Sequence, residues 1–247
     1  MPQLKVRSFG KSDVGLKRSE NQDAFVVNPE LSLYLVADGM GGAASGDLAS
    51  SIFAQAALEV FSALTVYSEQ QLSDAVQQSF MLAHQRIQDH ARKNPENQGM
   101  GCTAEVAAFS NDSCFVGHVG DSRTYLFREG RLKQLTRDHS LVQDQIDQGL
   151  ITADAARKHP LRNIILRSVG ANEDLVVDII KGKTIPGDVF LICSDGLTDM
   201  LDDDSIKQIL SSELSLSKRV QELIAEALAA GGYDNISVIL CEIGTAP

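Results

Sequence analysis

Apolar positions follow two rhythms along this chain, and each predicts its own kind of element. Short runs rich in Val, Ile, Leu and Phe, bounded by Gly, Pro, Asn or Asp, predict strands near 5–10, 23–28 and 31–37. Asn28-Pro29-Glu30 predicts the turn between the last two. Helical periodicity takes over from Ala43 to about Leu64, with Leu48, Ile52, Ala56 and Val60 on one face. A second long helix is predicted over 68–93, with Leu72, Val76, Phe80, Ala83 and Ile87 as its apolar stripe. Strands return near 104–110, 113–119 and 124–128, the last closing on an Arg128-Glu-Gly130 turn. The stretch from Thr136 to Val169 is polar, with short helices at 141–148 and 152–158 and a break at Pro160. Strands near 175–181 and 188–193, two helices between Asp202 and Ala230, and a strand over 236–243 complete the chain.

Strand runs interrupted by pairs of helices predict an α+β layered fold, not an alternating parallel sheet. The strands outnumber what one small sheet holds, so two packed sheets with helices outside are expected. One soluble domain over 1–247 is the expectation, because the chain shows no repeat, low-complexity tract or linker.

Aspartates punctuate the strand runs. Asp38, Asp121 and Asp195 each end one, and Asp234 opens another. Carboxylates at strand ends are expected to converge on one rim of a sheet, where they repel unless cations sit between them. An all-oxygen cage of that kind suits Mg²⁺ or Mn²⁺ rather than zinc. Taken singly, Asp38-Gly39 or Asp195-Gly196 reads as an ordinary turn.

Other chemistries are excluded by spacing. Position six after each cysteine is Ala108, Gly120, Asp199 or Pro247, so no Cys-x5-Arg loop exists. Gly182-Lys183-Thr184 lacks a P-loop's first glycine, because Val177 stands there. Ala44 replaces the third glycine of a dinucleotide fingerprint, and no nucleophile elbow occurs. The five histidines form no H-x-x-x-H pair and read as structural. Asp202-Asp-Asp204 reads as a helix cap.

A formal charge of −11 argues against nucleic-acid or anionic-membrane partners. No run of about 18 apolar residues and no signal-like N-terminus appear. Four scattered cysteines without C-x-x-C spacing read as buried thiols, so a cytoplasmic location is expected. Monomer is the default for a chain with no coiled-coil seam.

The fuller wording around the aspartates carries more. Arg18-Ser-Glu-Asn-Gln-Asp23, Val36-Ala-Asp38-Gly39-Met-Gly-Gly42, Gly99-Met-Gly-Cys-Thr103-Ala and His118-Val-Gly-Asp121-Ser-Arg123 come first. Leu135-Thr-Arg-Asp-His139-Ser, Cys193-Ser-Asp195-Gly-Leu-Thr198 and Gly231-Gly-Tyr-Asp234-Asn235 follow. In this order the motifs resemble the metal-dependent protein phosphatase family, the PPM or protein phosphatase 2C group, in its bacterial branch.

The resemblance implies a four-layer αββα sandwich, two antiparallel sheets flanked by helices, with a flap subdomain over about 136–170. It implies serine/threonine phosphoprotein phosphatase activity, in which a hydroxide bridging two Mn²⁺ or Mg²⁺ ions attacks a phosphomonoester. Asp38 would bridge the ions and the Gly39 carbonyl would be a further ligand. Asp195 and Asp234 would hold the first ion, and Asp23 would act through water. Asp121 with Asp195 looks like a third, weaker metal site, and Arg18 would grip the phosphate. Gln22 stands where some relatives have glutamate. Thr103 and Asn235 would orient ligands or waters, or are ordinary strand-start polar residues.

Met40 and Ala43 occupy positions where relatives place a histidine, so no side-chain general acid is evident beside Asp38. Metal-bound water or His139 is the expected substitute. Substrates would be phosphoserine or phosphothreonine proteins made by a serine/threonine kinase. The alternatives are a pseudophosphatase that binds phosphoproteins without turnover, and a structural Ca²⁺ protein, although the chain has no D-x-[DN]-x-[DN]-G loop.

Overall fold

The computed structural model describes residues 4–41, 45–110 and 112–245. In chain order it contains β1 (Leu4–Asp13), β2 (Asp23–Asn28), β3 (Leu33–Met40), α1 (Gly46–Ser62) and α2 (Glu69–Lys93). Next come β4 (Gly101–Ser110), β5 (Ser113–Val119), β6 (Arg123–Arg128), β7 (Arg131–Gln134), α3 (Leu141–Asp147) and α4 (Ala153–Arg157). The chain closes with β8 (Asp178–Lys183), β9 (Val189–Cys193), α5 (Asp195–Thr198), α6 (Asp203–Leu210), α7 (Leu216–Ala229) and β10 (Ile236–Thr245).

The ten strands of the described residues form two five-stranded sheets, β1-β10-β9-β6-β7 and β2-β3-β4-β5-β8, with antiparallel neighbours throughout. Alternation along β3 shows how the layers arise. Leu33, Leu35 and Ala37 face α1 and α2. Tyr34 and Val36 face the other sheet and meet Phe190, Ile192 and Ile239. Helices α6 and α7 cover the second sheet through Ile206, Val220, Leu223 and Ile224. Strands covered on both faces need apolar residues at nearly every position, which is why β9 reads Val-Phe-Leu-Ile-Cys without a polar break.

The α2 stripe is as expected, with all five of its residues buried. Ser68 caps the helix and accepts from the Gln71 N–H. The α1 face differs from expectation. Ala49, Phe53, Ala56, Ala57 and Phe61 point into the core, while Leu48, Ile52 and Val60 flank it half-buried. A strict four-residue spacing outruns the 3.6-residue turn, so that stripe drifts off the buried face. The expected start of this helix, at Ala43, lies outside the described residues. Strand β7, Arg-Leu-Lys-Gln, has no counterpart among the expected strands, because an exposed edge strand of four residues carries little apolar pattern. Strand β8 runs three residues later at its start than expected, at Asp178 instead of Leu175. Asp202 caps α6 by accepting from the Ser205 N–H, as its position suggested.

The four free cysteines are all buried, and no helix among the described residues is long and apolar enough to cross a membrane.

Candidate active site

The aspartates converge where both sheets end, not on the rim of one sheet. Asp23 opens β2 and Asp38 lies near the end of β3, where the register sets them directly opposite each other. Asp121 follows β5 in the same sheet. From the other sheet, Asp195 comes two residues after β9 and Asp234 two before β10. Asp38 shares the inter-sheet face of Tyr34 and Val36, at the point where that apolar layer gives out.

A cavity of about 370 Å³ opens here, lined by Asp38, Asp121, Asp195 and Asp234 together with Arg18 and Gly39. Asp23 stands at its back, where its Oδ2 accepts from the Ser194 hydroxyl at 2.8 Å. Like charges placed opposite one another in a sheet repel, and burial adds to the penalty. Desolvation, then the neighbouring carboxylates, push Asp38 and Asp195 well above the usual carboxylate range. Desolvation likewise pushes Asp23 up to about 6 and Asp121 up to about 7. Among the described residues no three acidic or imidazole groups are already drawn into a closed cage. The carboxylates instead stand around a shared space. One oxygen each of Asp23, Asp121 and Asp195 is buried without a hydrogen-bond partner among the described residues. Such orphan acceptors are expensive unless a cation or water meets them, and an all-oxygen donor set fits Mn²⁺ or Mg²⁺.

Arg18 sits at the mouth, half-exposed, with one guanidinium nitrogen 2.7 Å from Asp234 Oδ2. That hydrogen bond is the main reason its pKa lies above the ordinary arginine value. Gly39 admits no other residue, because a Cβ there would lie 1.9 Å from the Gly46 carbonyl oxygen. Its N–H donates to the Gln22 carbonyl, which also accepts from the Ser50 hydroxyl.

Asn235 is a clamp for the loop between β1 and β2. Its Oδ1 accepts from the Gln22 N–H at 2.8 Å, and its amide donates to the carbonyls of Val14 and Glu20. The loop it pins carries Arg18 and leads to Asp23. Asn235→Ala is expected to cut Mn²⁺ affinity by about 10–100-fold, read by calorimetric titration alongside thermal unfolding. Thr103 pairs with Asp38 across β3 and β4, and its hydroxyl meets Ser122 Oγ at 2.7 Å.

His139 is not brought to the cavity. Its Nδ1 accepts from the Gly120 N–H at 3.1 Å, so the ring proton sits on Nε2, facing Asp178 at 3.2 Å. Burial and the adjacent His118 lower its pKa to about 4, so the ring is neutral near pH 7. It supports the Asp121 loop and is not placed to protonate a leaving group. Gly42 and Ala43, the end of the glycine-rich segment, lie outside the described residues.

Ser194, which bonds Asp23 behind the cavity, and two of the lining residues were not foreseen. Ser194 had a signal, since it stands inside the Cys193-Ser-Asp195 motif. Asn163 and Ile165, which reach the cavity from the connection between β7 and β8, had none. A larger cavity of about 470 Å³ adjoins the first at Asp121 and Asp195 and runs beneath α3 and α4, where Asp199 and Arg162 line it.

The sequence model for protein phosphatase 2C matches residues 16–230. The chain belongs to the protein phosphatase 2C family. It is 37% identical over 233 residues to a putative protein phosphatase 2C-type protein of Streptococcus pyogenes, covering 93% of this chain and 94% of that one. The crystal structure of the Mycobacterium tuberculosis serine/threonine phosphatase PstP/Ppp is similar at a TM-score of 0.90 and 31% identity, covering 97% of this chain and 99% of the other. The catalytic domain of PstP in complex with two manganese ions is similar at a TM-score of 0.87 and 30% identity, covering 98% and 99%. The two antiparallel sheets flanked by helices are thus the protein phosphatase 2C sandwich.

Proposed function

We propose that this protein is a Mn²⁺- or Mg²⁺-dependent serine/threonine phosphoprotein phosphatase. The observation that carries the reading is the set of carboxylates from both sheets around one cavity, where Asp121, Asp195 and the neighbouring Asp23 each keep a buried oxygen with no hydrogen-bond partner among the described residues. Asp38, the Gly39 carbonyl, Asp195, Asp234 and Asp23 are the groups to hold two ions, Asp23 through water. Asp121 with Asp195 would serve a third, weaker one. Bound there, the cations lower the pKa of water and offset phosphoryl charge, the two needs of a displacement at a phosphomonoester.

The chain's own residues do the rest. Arg18 gives one donor to Asp234 and keeps other N–H groups of its planar fork for two phosphate oxygens. Asp234 in turn aims that fork at the cavity. Asn163 and Ile165 line the same cavity, so the 136–170 segment acts as a flap over the substrate. No histidine lines this cavity among the described residues, and we assign the leaving group's proton to water. Arg18→Lys keeps the charge and loses the fork, so KM for a phosphopeptide is expected to rise about 10-fold with kcat less affected, the cost of one charge-assisted hydrogen bond. A fall in kcat with unchanged KM would remove Arg18 from phosphate binding.

Substrates would be phosphoserine or phosphothreonine proteins produced by a kinase, met by a monomer in the cytoplasm, where buried thiols stay reduced. Nothing in the site favours a binding module without turnover, since no aspartate is missing. Hydrolysis of a phosphothreonine peptide that requires Mn²⁺ and stops with EDTA supports the proposal. A folded, metal-bound protein that releases no phosphate overturns it.

A further inference from the structure

A polar cluster lies at the boundary between the apolar inter-sheet layer and the aspartate cavity, and the proposed chemistry does not use it. Glu105 on β4 and His118 on β5 are cross-strand partners, both fully buried. His118 Nδ1 is hydrogen-bonded to Glu105 Oε1. The other carboxylate oxygen accepts from the Thr124 hydroxyl, which belongs to β6 in the opposite sheet. His118 Nε2 donates to the Arg137 carbonyl at 2.8 Å, where the chain leaves β7 for the flap. Three elements and both sheets meet in one set of hydrogen bonds.

The cluster continues toward Asp121. The His118 ring packs on His139, with centroids 4.5 Å apart. His139 holds Gly120 twice: its Nδ1 accepts from the Gly120 N–H, and its own N–H donates to the Gly120 carbonyl at 2.7 Å. On the far side of Asp121, the Ser122 hydroxyl is held by Thr103. Asp121 is therefore fixed by both neighbours while its Oδ1 has no partner among the described residues. His139 also accepts the Leu166 N–H at its carbonyl, which ties the returning flap segment to the same point. A Cβ at Gly120, whose φ is +113°, would meet the Thr103 side chain at 2.4 Å, so the turn has no other packing to adopt.

Burying a carboxylate and an imidazole in an otherwise apolar layer is costly, and an apolar trio would serve stability as well or better. What the polar set provides instead is direction. His118 Nε2 can serve the Arg137 carbonyl only while Nδ1 is engaged by Glu105, which fixes the ring's orientation and hence the stack on His139.

We propose that Glu105, His118 and Thr124 are positioning residues that set Asp121 and the flap root relative to the aspartate cavity. This rests on the metal reading above in that the consequence of a misplaced Asp121 is weaker metal binding. Outer partners of metal ligands typically alter affinity by about 10–100-fold when removed.

The test compares Glu105→Gln, which keeps every hydrogen bond with neutral partners, with the apolar triple variant Glu105→Leu/His118→Leu/Thr124→Val, which avoids leaving one charge buried alone. Amide exchange is measured on metal-free protein and Mn²⁺ affinity by calorimetric titration. The expected result for the triple variant is a folded protein in which Gly120 and His139 amides lose protection and Mn²⁺ affinity falls about 10–100-fold. Glu105→Gln should retain both. A folded triple variant with wild-type protection or wild-type Mn²⁺ affinity overturns the proposal. So does an equal loss in Glu105→Gln, which would mean that charge rather than orientation matters. Wild-type protein that binds no Mn²⁺ overturns the metal reading and the consequence drawn from it, and the exchange data then decide separately whether the cluster holds the loop.

Discussion

Asp38→Asn is expected to lower kcat on a phosphothreonine peptide by about 10³-fold or more while making the metal-free protein more stable. Both effects follow from the same placement. Asp38 faces Asp23 across the β2–β3 register and shares its cavity with Asp121, Asp195 and Asp234. Desolvation, followed by repulsion from those four carboxylates, makes its charge costly in the folded chain. Asparagine keeps the shape and removes the charge, so the unliganded fold gains. It also removes an anionic carboxylate that would hold the cations, and metal assistance of this kind is worth several kcal/mol in the transition state. A loss of about 4 kcal/mol corresponds to roughly 10³ in rate. Steady-state kinetics with Mn²⁺ and thermal unfolding with EDTA check the two halves. A variant that is both less active and less stable without metal would show that Asp38 supports the fold and not the chemistry.

Removing the metal should also reverse the usual pH dependence of stability. Unfolded aspartates ionise near pH 3.9, whereas in the folded, metal-free chain Asp23 holds its proton to about 6 and Asp121 to about 7. Between those limits the folded state binds more protons than the unfolded one, so stability falls as pH rises. For these two groups the penalty is absent below about pH 3.9 and complete above about pH 7, and it amounts to several kcal/mol at about 1.4 kcal/mol per pKa unit; Asp38 and Asp195, also raised, add to it in the same sense. Exposed carboxylates such as Glu69, Asp112 and Asp202 are shifted downward by their partners and act with the opposite sign, below the range that matters here. In EDTA the unfolding temperature should therefore drop between pH 5 and pH 8, and saturating Mn²⁺ should remove the drop. A metal-free protein that gains stability over that interval would contradict the arrangement of the carboxylates.

How much was legible in the sequence depended on the kind of signal. A doubly covered strand such as β9 is apolar at every position and announces itself, and α2 does so through its stripe. The edge strand β7 did not, since three of its four residues are polar and only Leu132 could contribute to an apolar pattern. The core face of α1 was displaced by one position, because Ala49, Ala56 and Ala57 carry a buried face with little hydrophobic contrast. At the site, the aspartates were legible through the words around them. The contribution of both sheets was not, because sequence order says nothing about which strand ends meet in space. His139 was drawn toward the chemistry by its motif, yet its ring is committed to Gly120 and Asp178. Glu105 inside an apolar run was a visible anomaly, but its partner His118 had the appearance of an ordinary structural histidine. Asn163 and Ile165 reach the cavity only through the path of the connection between β7 and β8, which no local pattern encodes.

The central claim is that carboxylates from the two sheets jointly hold two cations around Asp38. The direct measurement is an anomalous difference map from crystals grown with Mn²⁺, collected at the manganese edge, for wild type and Asp38→Asn. The account predicts two strong peaks within the cavity lined by Asp38, Asp195 and Asp234 in the wild type, with loss of at least one in the variant. Peaks elsewhere, a single ion, or two ions unaffected by the substitution would contradict it.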